Sequence, residues 1–398
     1  MTIVAIHPGA ELYGSDRMFL ASLVAARQAE ASVLAVLPGE GPLAAALSSH
    51  GVEVLVEPYP VLRRAELSGL RALPALARWA GALPRCVRLL RRHRPEVVYV
   101  STVVSPIWLL AARITRHRSI VHVHENEPDL RPAAARLLLA PLRLATTVVA
   151  NSETTRSWVV ATVPQVAART VVVVNGVAGP AEPAPRPPPT ARPGVARLVV
   201  VGRLSERKGQ DVAVRAAHLL GERGFAVDLA LAGSSFPGYE DYAAQLEALA
   251  AQSGPNVSVR FLGFVGEPSH ELAAADVALV PSTRPESFGN VAVEALLAGV
   301  PTVVTDVPGL RDVLRHRETG MVVPPSRPDL LADAIEELIT DPTRAAALAT
   351  AGAEDARRRF GLARYEAAMA ELLCPTTDPP TTQWSARTRR DRRRPSSD

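Results

Sequence analysis

Residues 199–209 read Val199-Val200-Val201-Gly202-Arg203-Leu204-Ser205-Glu206-Arg207-Lys208-Gly209. The three valines are typical of a buried parallel strand, and the glycine after them permits a tight turn before a predicted helix. Arg203 offers a planar fork of N–H groups for phosphate oxygens, and Lys208, the only lysine of the chain, offers a point charge. The stretch is a candidate diphosphate clamp, with a solvated surface loop as the alternative.

The alternation of strand and helix continues in both directions from this stretch. In the second half, short β-branched runs predict the strands Arg197–Val201, Val227–Ala232, Val257–Phe261, Val277–Pro281 and Thr302–Thr305. In the first half they predict the strands Ile3–His7, Ser32–Leu37, Glu53–Val56, Val97–Val100, Ile120–His124, Thr147–Ala150 and Thr170–Val174. Helical patterns lie between most of these runs, so both halves are predicted to be α/β domains with parallel sheets.

Changes in composition predict the domain boundaries. The proline-rich residues 179–195 cannot form the interior of a helix or sheet, so they are predicted to link an N-terminal domain, residues 1–178, to a C-terminal domain, residues 196–355. Residues 356–374 are predicted to form a C-terminal helix that packs back on the N-terminal domain. Residues 375–398, rich in Pro, Thr, Ser and Arg, are predicted to be a disordered tail.

Composition also limits the class of protein. Hydrophobic residues make up 47% of the 398, enough for two cores, and the net charge of +4 is too modest to indicate a nucleic-acid partner. Cys86 and Cys374 lie far apart and form neither a disulfide framework nor a metal-binding spacing. No run of 18 apolar residues occurs, so no transmembrane helix is predicted. A cytoplasmic location is expected.

A second constellation follows the predicted strand that ends at Pro281. It reads Pro281-Ser282-Thr283-Arg284-Pro285-Glu286-Ser287-Phe288-Gly289-Asn290-Val291-Ala292-Val293-Glu294-Ala295-Leu296-Leu297-Ala298-Gly299. The free N–H groups of the helix that begins near Gly289 suit an anion. Glu286 in the preceding loop and Glu294 in the helix can accept hydrogen bonds from vicinal hydroxyls. The alternative is a helix start with one exposed glutamate, but a carboxylate flanked by apolar residues, as Glu294 is, indicates a specific partner.

These residues resemble those of a known family. The pattern Glu-x7-Glu with Gly-Arg-Leu-x3-Lys-Gly upstream is similar to that of retaining glycosyltransferase family 4, whose members have the GT-B fold. Further matches are Phe261-Leu262-Gly263-Phe264, Glu294-Ala295-Leu296-Leu297-Ala298-Gly299-Val300-Pro301, Thr319-Gly320, His122-Val123-His124-Glu125 and Val174-Asn175-Gly176-Val177. The resemblance is strong over Val199–Asp341 and weaker before it. It implies two Rossmann-like domains facing each other across a cleft.

The resemblance also implies a role for each matching residue. Arg203 and Lys208, beside the turn at Gly202, would neutralise the diphosphate as it leaves. Glu286 would hold the donor sugar and Glu294 the ribose hydroxyls. The other residues implied at the donor site are the backbone amides of Phe288, Gly289 and Asn290, the base-bordering Phe264 and Val265, Gly14 on the opposite domain, and His124 near the reacting carbon.

His122 and His124 project to the same face of a strand, and with Glu125 they have a spacing that could ligate a metal. The alternatives are a structural role for one histidine and a catalytic role for His124. The family generally needs no metal, and this chain has no Asp-x-Asp motif, so no metal or cofactor is expected. The nucleotide sugar is the expected substrate.

The resemblance implies retention by front-face displacement, in which the leaving phosphate assists the acceptor. A double displacement would need a carboxylate near the anomeric carbon, for which Glu11 and Glu125 are possibilities. The chain departs from the family at Pro308, where a second glycine often precedes Gly309, and at Ala178, where Asp often follows Asn-Gly-Val. The departure at Pro308 affects a loop that is expected to lie near the sugar.

An arginine-rich segment covers residues 63–94, with Glu66 as its only acid. Pro74 and Pro84 interrupt its helical pattern, so two shorter helices are predicted. A basic amphipathic segment can dock on an anionic membrane, but it can also be a solvated face. Docking would place the protein peripherally on the inner membrane face.

The function predicted from the sequence is transfer of a sugar from a nucleotide-diphosphate donor to a glycan, glycolipid or lipid-linked acceptor, in cell-surface polysaccharide biosynthesis. One alternative is an epimerase of similar fold that acts on the nucleotide sugar alone. Another is a non-catalytic protein that binds nucleotide sugars, which the intact set of Arg203, Lys208, Glu286 and Glu294 disfavours.

Overall fold

A computed structural model describes residues 1–12, 14–62, 72–179, 194–235, 239–266 and 268–375, and for residues 72–77 it describes the backbone alone. Most of the predicted linker and the predicted tail beyond residue 375 lie outside the described residues. So do Arg63, Arg64 and Arg71 of the arginine-rich segment. The described part contains no helix long and apolar enough to cross a membrane.

The first sheet is built from residues 2–172. Its strands are β1 Thr2–Ile6, β2 Ser32–Leu37, β3 Glu53–Val56, β4 Val97–Ser101, β5 Arg118–Val123, β6 Thr147–Ala150 and β7 Thr170–Val172. Its helices are α1 Gly14–Gln28, α2 Pro42–Ser49, α3 Ala72–His93, α4 Pro106–Thr115, α5 Pro132–Leu139 and α6 Glu153–Thr162. The strands are parallel in the order β3-β2-β1-β4-β5-β6-β7, so the order reverses between β1 and β4.

The second sheet begins at residue 195. Its strands are β8 Val195–Val201, β9 Ala226–Ala232, β10 Val257–Gly263, β11 Val277–Val280, β12 Thr302–Thr305 and β13 Met321–Val323. The helices that follow are α7 Gln210–Glu222, α8 Glu240–Ala250, α9 Ser269–Ala274, α10 Asn290–Leu297, α11 Pro328–Thr340, α12 Pro342–Phe360 and α13 Leu362–Leu373. The strand order β10-β9-β8-β11-β12-β13 reverses between β8 and β11.

The predicted fold class, α/β with two parallel sheets, is confirmed. Buried valine, leucine and isoleucine side chains form separate cores on the faces of each sheet, as expected when helices cover both faces. The sequence analysis missed β13, because its three residues Met321–Val323 are too few to show a period and follow directly on a Thr-Gly turn.

The prediction of two short helices in the arginine-rich segment is wrong. A single helix, α3, runs from Ala72 to His93 with Pro84 inside it. Pro74 lies in the first turn, where the backbone N–H has no intrahelical partner to lose. Beyond Pro84 the helix is held by packing, since Ala82, Cys86 and Leu90 recur at four-residue intervals and are buried in the core.

The chain crosses between the two sheets twice. The first crossing follows β7, and the second follows the end of α12. The two crossings contact each other, since the N–H of Val177 donates to the carbonyl of Phe360 over 2.8 Å. Helix α13 then packs against α1 of the N-terminal sheet, where Tyr365 and Met369 enter the core. Its first turns also border the cleft between the sheets, through Leu362 and Glu366.

Candidate nucleotide-sugar site

The clamp motif and the carboxylate motif meet because their strands are neighbours. β8 and β11 pair in parallel, so the loops at their carboxyl ends open at one edge of the sheet. This edge lies where the strand order reverses, which is the usual position of ligand sites in open α/β sheets. The loop after β8 carries Arg203 and Lys208, and the loop after β11 carries Glu286.

Lys208 and Glu286 form a direct ion pair across a sequence separation of 78 residues. The Nζ of Lys208 donates to Oε1 of Glu286 over 2.7 Å, and the hydroxyl of Ser282 donates to the same oxygen over 2.6 Å. Burial of Glu286 raises its pKa, but the charge and hydrogen bond of Lys208, the Ser282 hydroxyl and the charge of Arg207 bring the pKa below its ordinary value. Glu286 is therefore held as a carboxylate that accepts hydrogen bonds.

The turn that carries Arg203 is fixed by Gln210, at the start of α7. The buried Gln210 side chain donates to the carbonyl of Arg203 over 2.9 Å and to that of Gly202 over 3.3 Å. Gly233 packs so tightly behind this turn that a Cβ there would lie 1.9 Å from the carbonyl oxygen of Gly202. The Arg203 side chain lines the cleft beside Lys208, as the clamp hypothesis requires.

Glu294 lies on α10, which begins after the left-handed Gly289 with φ of 103°. Burial raises the pKa of Glu294, and the charges of Arg17 and Lys208 lower it in part. The guanidinium of Arg17 lies 3.8 Å from Oε1 of Glu294, from the opposite wall of the cleft. Sequence reasoning predicted a partner for Glu294 but missed Arg17, whose only signal is its position on the first turn of α1.

Arg17 also joins the two domains through backbone groups. One guanidinium nitrogen donates to the carbonyl of Gly266 over 2.6 Å, and Nε donates to the carbonyl of Leu12 over 3.2 Å. Gly266 follows Phe264 and Val265, the residues implied to border the base. Both line the cleft, and 65% of Phe264 is exposed.

Phe288 contributes its backbone and not its ring to the site. Its side chain is buried and meets Phe360 edge to face, with ring centroids 5.4 Å apart. The backbone from Phe288 to Asn290 lines the cleft just before α10. The role implied for these backbone amides stays a prediction.

Two glycines permit close approaches that define the site. A Cβ on Gly14 would lie 2.8 Å from Nδ2 of Asn290, so Gly14 lets the start of α1 approach α10. A Cβ on Gly309, whose φ is +91°, would lie 2.3 Å from the carbonyl oxygen of Glu286. The carbonyl of Pro308 accepts the N–H of Glu286 over 2.9 Å, so the departure from the family pattern at this position lies directly against the Glu286 loop.

His124 lies at the carboxyl end of β5 and lines the cleft. Burial, aided by the charge of His7, lowers the pKa of His124 to about 3, so the ring is neutral at physiological pH. Neither ring nitrogen has a hydrogen-bond partner within the described structure. His122 packs on it with ring centroids 4.0 Å apart and bonds through Nδ1 to the Tyr99 hydroxyl over 3.0 Å, so His122 is the structural member of the pair.

Glu125 turns its carboxylate back to the chain. The N–H groups of His124 and Val103 donate to its Oε2 over 3.0 and 3.5 Å. Across the residues that the structure describes, no three or more His, Cys, Asp or Glu side chains are arranged to hold a metal ion. Thr102 beside Glu125 has φ of 85°, a strained conformation for a β-branched residue, and lines the cleft.

The two walls of the cleft are joined by hydrogen bonds that the sequence did not predict. Ser152 donates to the carbonyl of Ser287 over 2.6 Å, and Asn126 donates to that of Glu286 over 3.4 Å. The side chain of Asn175 donates to that of Asn290 over 3.1 Å. The N-terminal domain therefore contacts the same loop that carries Glu286.

Ser152 has two separable roles, because its side chain also caps α6 by accepting from the N–H of Thr155 over 3.0 Å. We expect Ser152→Ala to lower stability by about 1 kcal/mol through loss of the cap, and to raise the KM for a substrate that binds in the cleft. Ser152→Asp should keep the cap but not the bond to Ser287, so thermal unfolding should recover while KM stays raised. Equal behaviour of the two variants in both measurements would contradict this division.

All twelve residues that the sequence analysis placed at the site line one cleft of about 940 Å³ between the two sheets. They are Gly14, His124, Gly202, Arg203, Lys208, Phe264, Val265, Glu286, Phe288, Gly289, Asn290 and Glu294. The cleft also contains Asp16, Arg17, Asn151 and Asn175, which the sequence analysis did not select. The cleft has the size of a small-molecule site.

Two family models match consecutive parts of the chain. The model described as Glycosyltransferase Family 4 matches residues 20–178, and the model described as Glycosyl transferases group 1 matches residues 186–355. The chain belongs to glycosyltransferase family 4. The resemblance seen in the sequence motifs is thereby confirmed.

Curated family relatives match parts of this chain. An uncharacterized glycosyltransferase of Methanocaldococcus jannaschii is 40% identical over 146 residues, which cover 36% of this chain and 36% of the relative. A D-inositol 3-phosphate glycosyltransferase of Xylanimonas cellulosilytica is 40% identical over 184 residues, which cover 45% of this chain and 42% of the relative. The matches thus span less than half the length of these relatives.

Solved structures share the architecture over nearly the whole chain. Anabaena HepE, crystallised in complex with UDP and glucose, has a TM-score of 0.78 at 23% identity, covering 94% of this chain and 100% of that chain. The apo form of the lipopolysaccharide outer core galactosyltransferase WaaB has a TM-score of 0.68 at 17% identity, covering 93% and 98%. At these identities the likeness concerns the fold, and it confirms the predicted GT-B architecture.

Proposed function

We propose that this member of family 4 is a retaining glycosyltransferase that moves a sugar from a nucleotide-diphosphate donor to a hydroxyl of a glycan, glycolipid or lipid-linked acceptor. The observation that carries the proposal is the Lys208–Glu286 pair, 2.7 Å long, beside Arg203 and Glu294 on one wall of the cleft. Two cations and two carboxylates in this arrangement match a diphosphate flanked by a ribose and a sugar, each of which presents hydroxyls.

Each group has a defined task in this proposal. Arg203 and Lys208 neutralise the charge that develops on the leaving diphosphate, which is electrostatic stabilisation of the transition state. Glu286, fixed by Lys208 and Ser282, accepts hydrogen bonds from the donor sugar. Glu294 accepts them from the ribose, and the neutral His124 faces the sugar from the other wall.

The proposed mechanism is a front-face displacement. The oxygen of the acceptor hydroxyl attacks the anomeric carbon from the side of the departing phosphate, and its proton passes to a phosphate oxygen. Charge on the phosphate is balanced by Arg203 and Lys208, so the proposal requires no metal or other cofactor. Cell-surface polysaccharide biosynthesis is the pathway class that we propose for the product.

A screen of nucleotide sugars tests the proposal. UDP-, GDP-, dTDP- and ADP-sugars are added to the full chain with EDTA present, and thermal shift and donor hydrolysis are measured. We expect one nucleotide to raise the unfolding temperature and its sugar to be hydrolysed slowly. The solved HepE complexes with UDP and with UDP-glucose support starting with UDP-glucose. The proposal fails if no nucleotide sugar binds.

Glu294→Ala should weaken binding of the nucleotide sugar about 10- to 100-fold, since two hydrogen bonds to a charged, partly buried carboxylate are lost. The free nucleoside diphosphate should lose affinity by the same factor, because Glu294 is assigned to the ribose. Isothermal titration calorimetry measures both constants. Glu222→Ala, an exposed glutamate at the end of α7, is the matched control and should leave them unchanged.

We also propose that residues 63–94 dock on an anionic membrane surface. Arg85, Arg88 and Arg92 of α3 are exposed, while the opposite face of the helix is buried. Ile114 on the adjoining α4 is 46% exposed. A basic helix beside exposed apolar side chains suits peripheral binding at the inner membrane face.

Flotation with vesicles measures the membrane docking. The full chain should float with vesicles rich in phosphatidylglycerol and not with vesicles of pure phosphatidylcholine, and added salt should release it. Substituting Arg85, Arg88 and Arg92 together with glutamine should abolish flotation. Equal flotation with both vesicle types would contradict electrostatic docking.

A further inference from the structure

The two walls of the cleft carry different charges. On the C-terminal wall, Arg203 and Lys208 balance Glu286 and Glu294. Four acidic residues line the N-terminal wall together with α13, namely Glu11, Asp16, Glu125 and Glu366. Among the described residues that line this second wall, Arg17 is the one lysine or arginine. The side of the cleft opposite the proposed diphosphate clamp is therefore acidic.

Arg17 does not neutralise the centre of this wall. Its guanidinium is directed to the C-terminal domain, where it donates to the carbonyl of Gly266 over 2.6 Å and lies 3.8 Å from Glu294. The nearest acid in sequence, Asp16, lies instead 2.5 Å from the Nε2 of His7. Arg17 thus serves the donor half of the cleft.

Among the residues that the structure describes, no arginine or lysine forms an ion pair with Glu125 or shifts its pKa. Burial raises its pKa to about 7, and the backbone N–H groups and the Thr102 hydroxyl that bond to it lower the pKa only in part. Glu366 on α13 behaves in the same way, since burial alone raises its pKa. Within the described parts of the chain, no cation lowers the pKa of either carboxylate.

Polar atoms without partners lie next to these carboxylates. His124 is 9% exposed, and both of its ring nitrogens lack a hydrogen-bond partner within the described structure. Asn151, 1% exposed, has a side-chain oxygen with no partner among the described residues, and it also lines the cleft. Buried polar atoms usually pair with protein or water, so these atoms are available to hydrogen-bond a molecule bound in the cleft.

We infer that the N-terminal wall takes the acceptor as an uncharged, hydroxyl-bearing sugar or polyol, and excludes an acceptor whose phosphate enters the cleft. This inference rests on the proposed function and names the acceptor class for the same site. The acceptor subsite consists of Glu125 and Asn151, with Glu366 at its edge, and it meets the donor sugar at His124.

The chemistry of a hydroxyl fits this subsite. A hydroxyl donates one hydrogen bond and accepts others, so it can donate to Glu125 or Asn151 and accept from the protonated nitrogen of the neutral His124. A phosphate can donate little and would lie against several carboxylates, a repulsion that excludes wrong ligands. It would also compete with the donor diphosphate for Arg203 and Lys208. A lipid-linked acceptor must therefore keep its phosphate outside the cleft and insert only its sugar.

Saturation-transfer NMR on the full chain loaded with UDP tests the inference with pairs of small probes. The pairs are methyl α-D-glucopyranoside with its 6-phosphate, and myo-inositol with D-inositol 3-phosphate. We expect the neutral member of at least one pair to bind at least about tenfold more tightly than its phosphate. The donor sites on the C-terminal wall are occupied by UDP, so the phosphate cannot bind there instead.

Charge reversal at the subsite should change this preference. Glu125→Lys should reduce or invert the ratio of the affinity for the neutral probe to that for its phosphate. Glu125→Gln keeps an oxygen for the N–H of His124, so it should reduce this ratio without loss of fold. Glu53→Lys, on the exposed edge strand β3, makes the same change of net charge outside the cleft and should leave the ratio as in the wild type.

Several results would overturn the inference. One is that the wild type binds the phosphates more tightly than the neutral probes. Another is that it binds none of the four probes. A third is that Glu125→Gln and Glu125→Lys both leave the ratio of neutral-probe to phosphate affinity unchanged. UDP binding is measured separately, before any acceptor probe is added. Failure of UDP to bind would therefore contradict the proposed function instead.

Discussion

Lys208→Ala should lower kcat for sugar transfer about 100- to 1000-fold, the usual effect of removing one group that stabilises charge in the transition state. The loss has two origins in the structure. The diphosphate loses a cation, and Glu286 loses the partner that holds it at 2.7 Å. Steady-state kinetics with the nucleotide sugar found in the donor screen measures the effect, and kcat should fall more than KM rises.

Lys208→Arg is the matched variant, because it keeps the positive charge but changes the geometry of the hydrogen-bond donors on the side chain. It should recover part of the rate, since a guanidinium can pair with both the phosphate and Glu286. Arg223→Ala removes a cation that pairs with Asp333 and Glu336 on the surface, and it should leave kcat unchanged. A kcat for Lys208→Ala within threefold or so of the wild type would remove Lys208 from the catalytic set.

The Lys208 variant should also respond differently to acid. In the wild type, Lys208 holds the pKa of Glu286 below its ordinary value, so this carboxylate stabilises the fold above pH about 4.3, and the contribution is lost as the pH falls through the lowered pKa. Without Lys208, burial raises the pKa and the ionised form destabilises the fold. The difference in unfolding temperature between Lys208→Ala and the wild type should therefore be largest near neutral pH and should shrink towards acid pH.

Gly209→Ala should damage both the fold and the activity. Gly209 has φ of +68°, where a residue with a Cβ loses about 1–2 kcal/mol. A Cβ at this position would also lie 2.1 Å from the carbonyl oxygen of Pro281, so the loop after β11 must move. We expect a total loss of about 2–4 kcal/mol. Activity should fall further, because the shift separates Lys208 from Glu286.

Gly224→Ala separates the cost of a left-handed backbone from the cost of contact with the Pro281 carbonyl. Gly224 has φ of +90°, but nothing lies within 4 Å of a Cβ built there. This variant should show the loss due to the left-handed backbone alone, and full activity. Thermal unfolding and the transfer assay measure both variants. Equal unfolding temperatures for Gly209→Ala and Gly224→Ala would show that contact with the Pro281 loop is unimportant.

Local patterns were sufficient to predict most of the strands and the fold class. The strands are short, β-branched and buried on both faces, so their hydrophobic runs are continuous and are interrupted by polar turns. The predictions failed where packing overrides the local pattern. Helix α3 runs through Pro84 because Ala82 and Cys86 anchor it on both sides of the proline, and no local signal contains that anchor.

The residues of the proposed donor wall are easier to recognise in the sequence than those of the proposed acceptor wall, for a physical reason. Arg203 and Lys208 lie in one loop, and Glu286 and Glu294 lie eight residues apart, so each half of the donor site is recognisable as a short motif. The acceptor wall takes single residues from the ends of several strands and helices. Asn151 and Glu366 have ordinary local sequences, and only their shared position in the cleft singles them out.

The sequence by itself determined that two parallel-sheet domains form, and it identified the residues that suit a diphosphate and a sugar. Tertiary structure decided how these residues act together. The pairing of β8 with β11 brings Lys208 to Glu286, and the closeness of Gly14 to Asn290 brings the two domains into contact. The charges of the cleft walls are also a tertiary property, because the sign of a surface depends on which side chains the fold places on it.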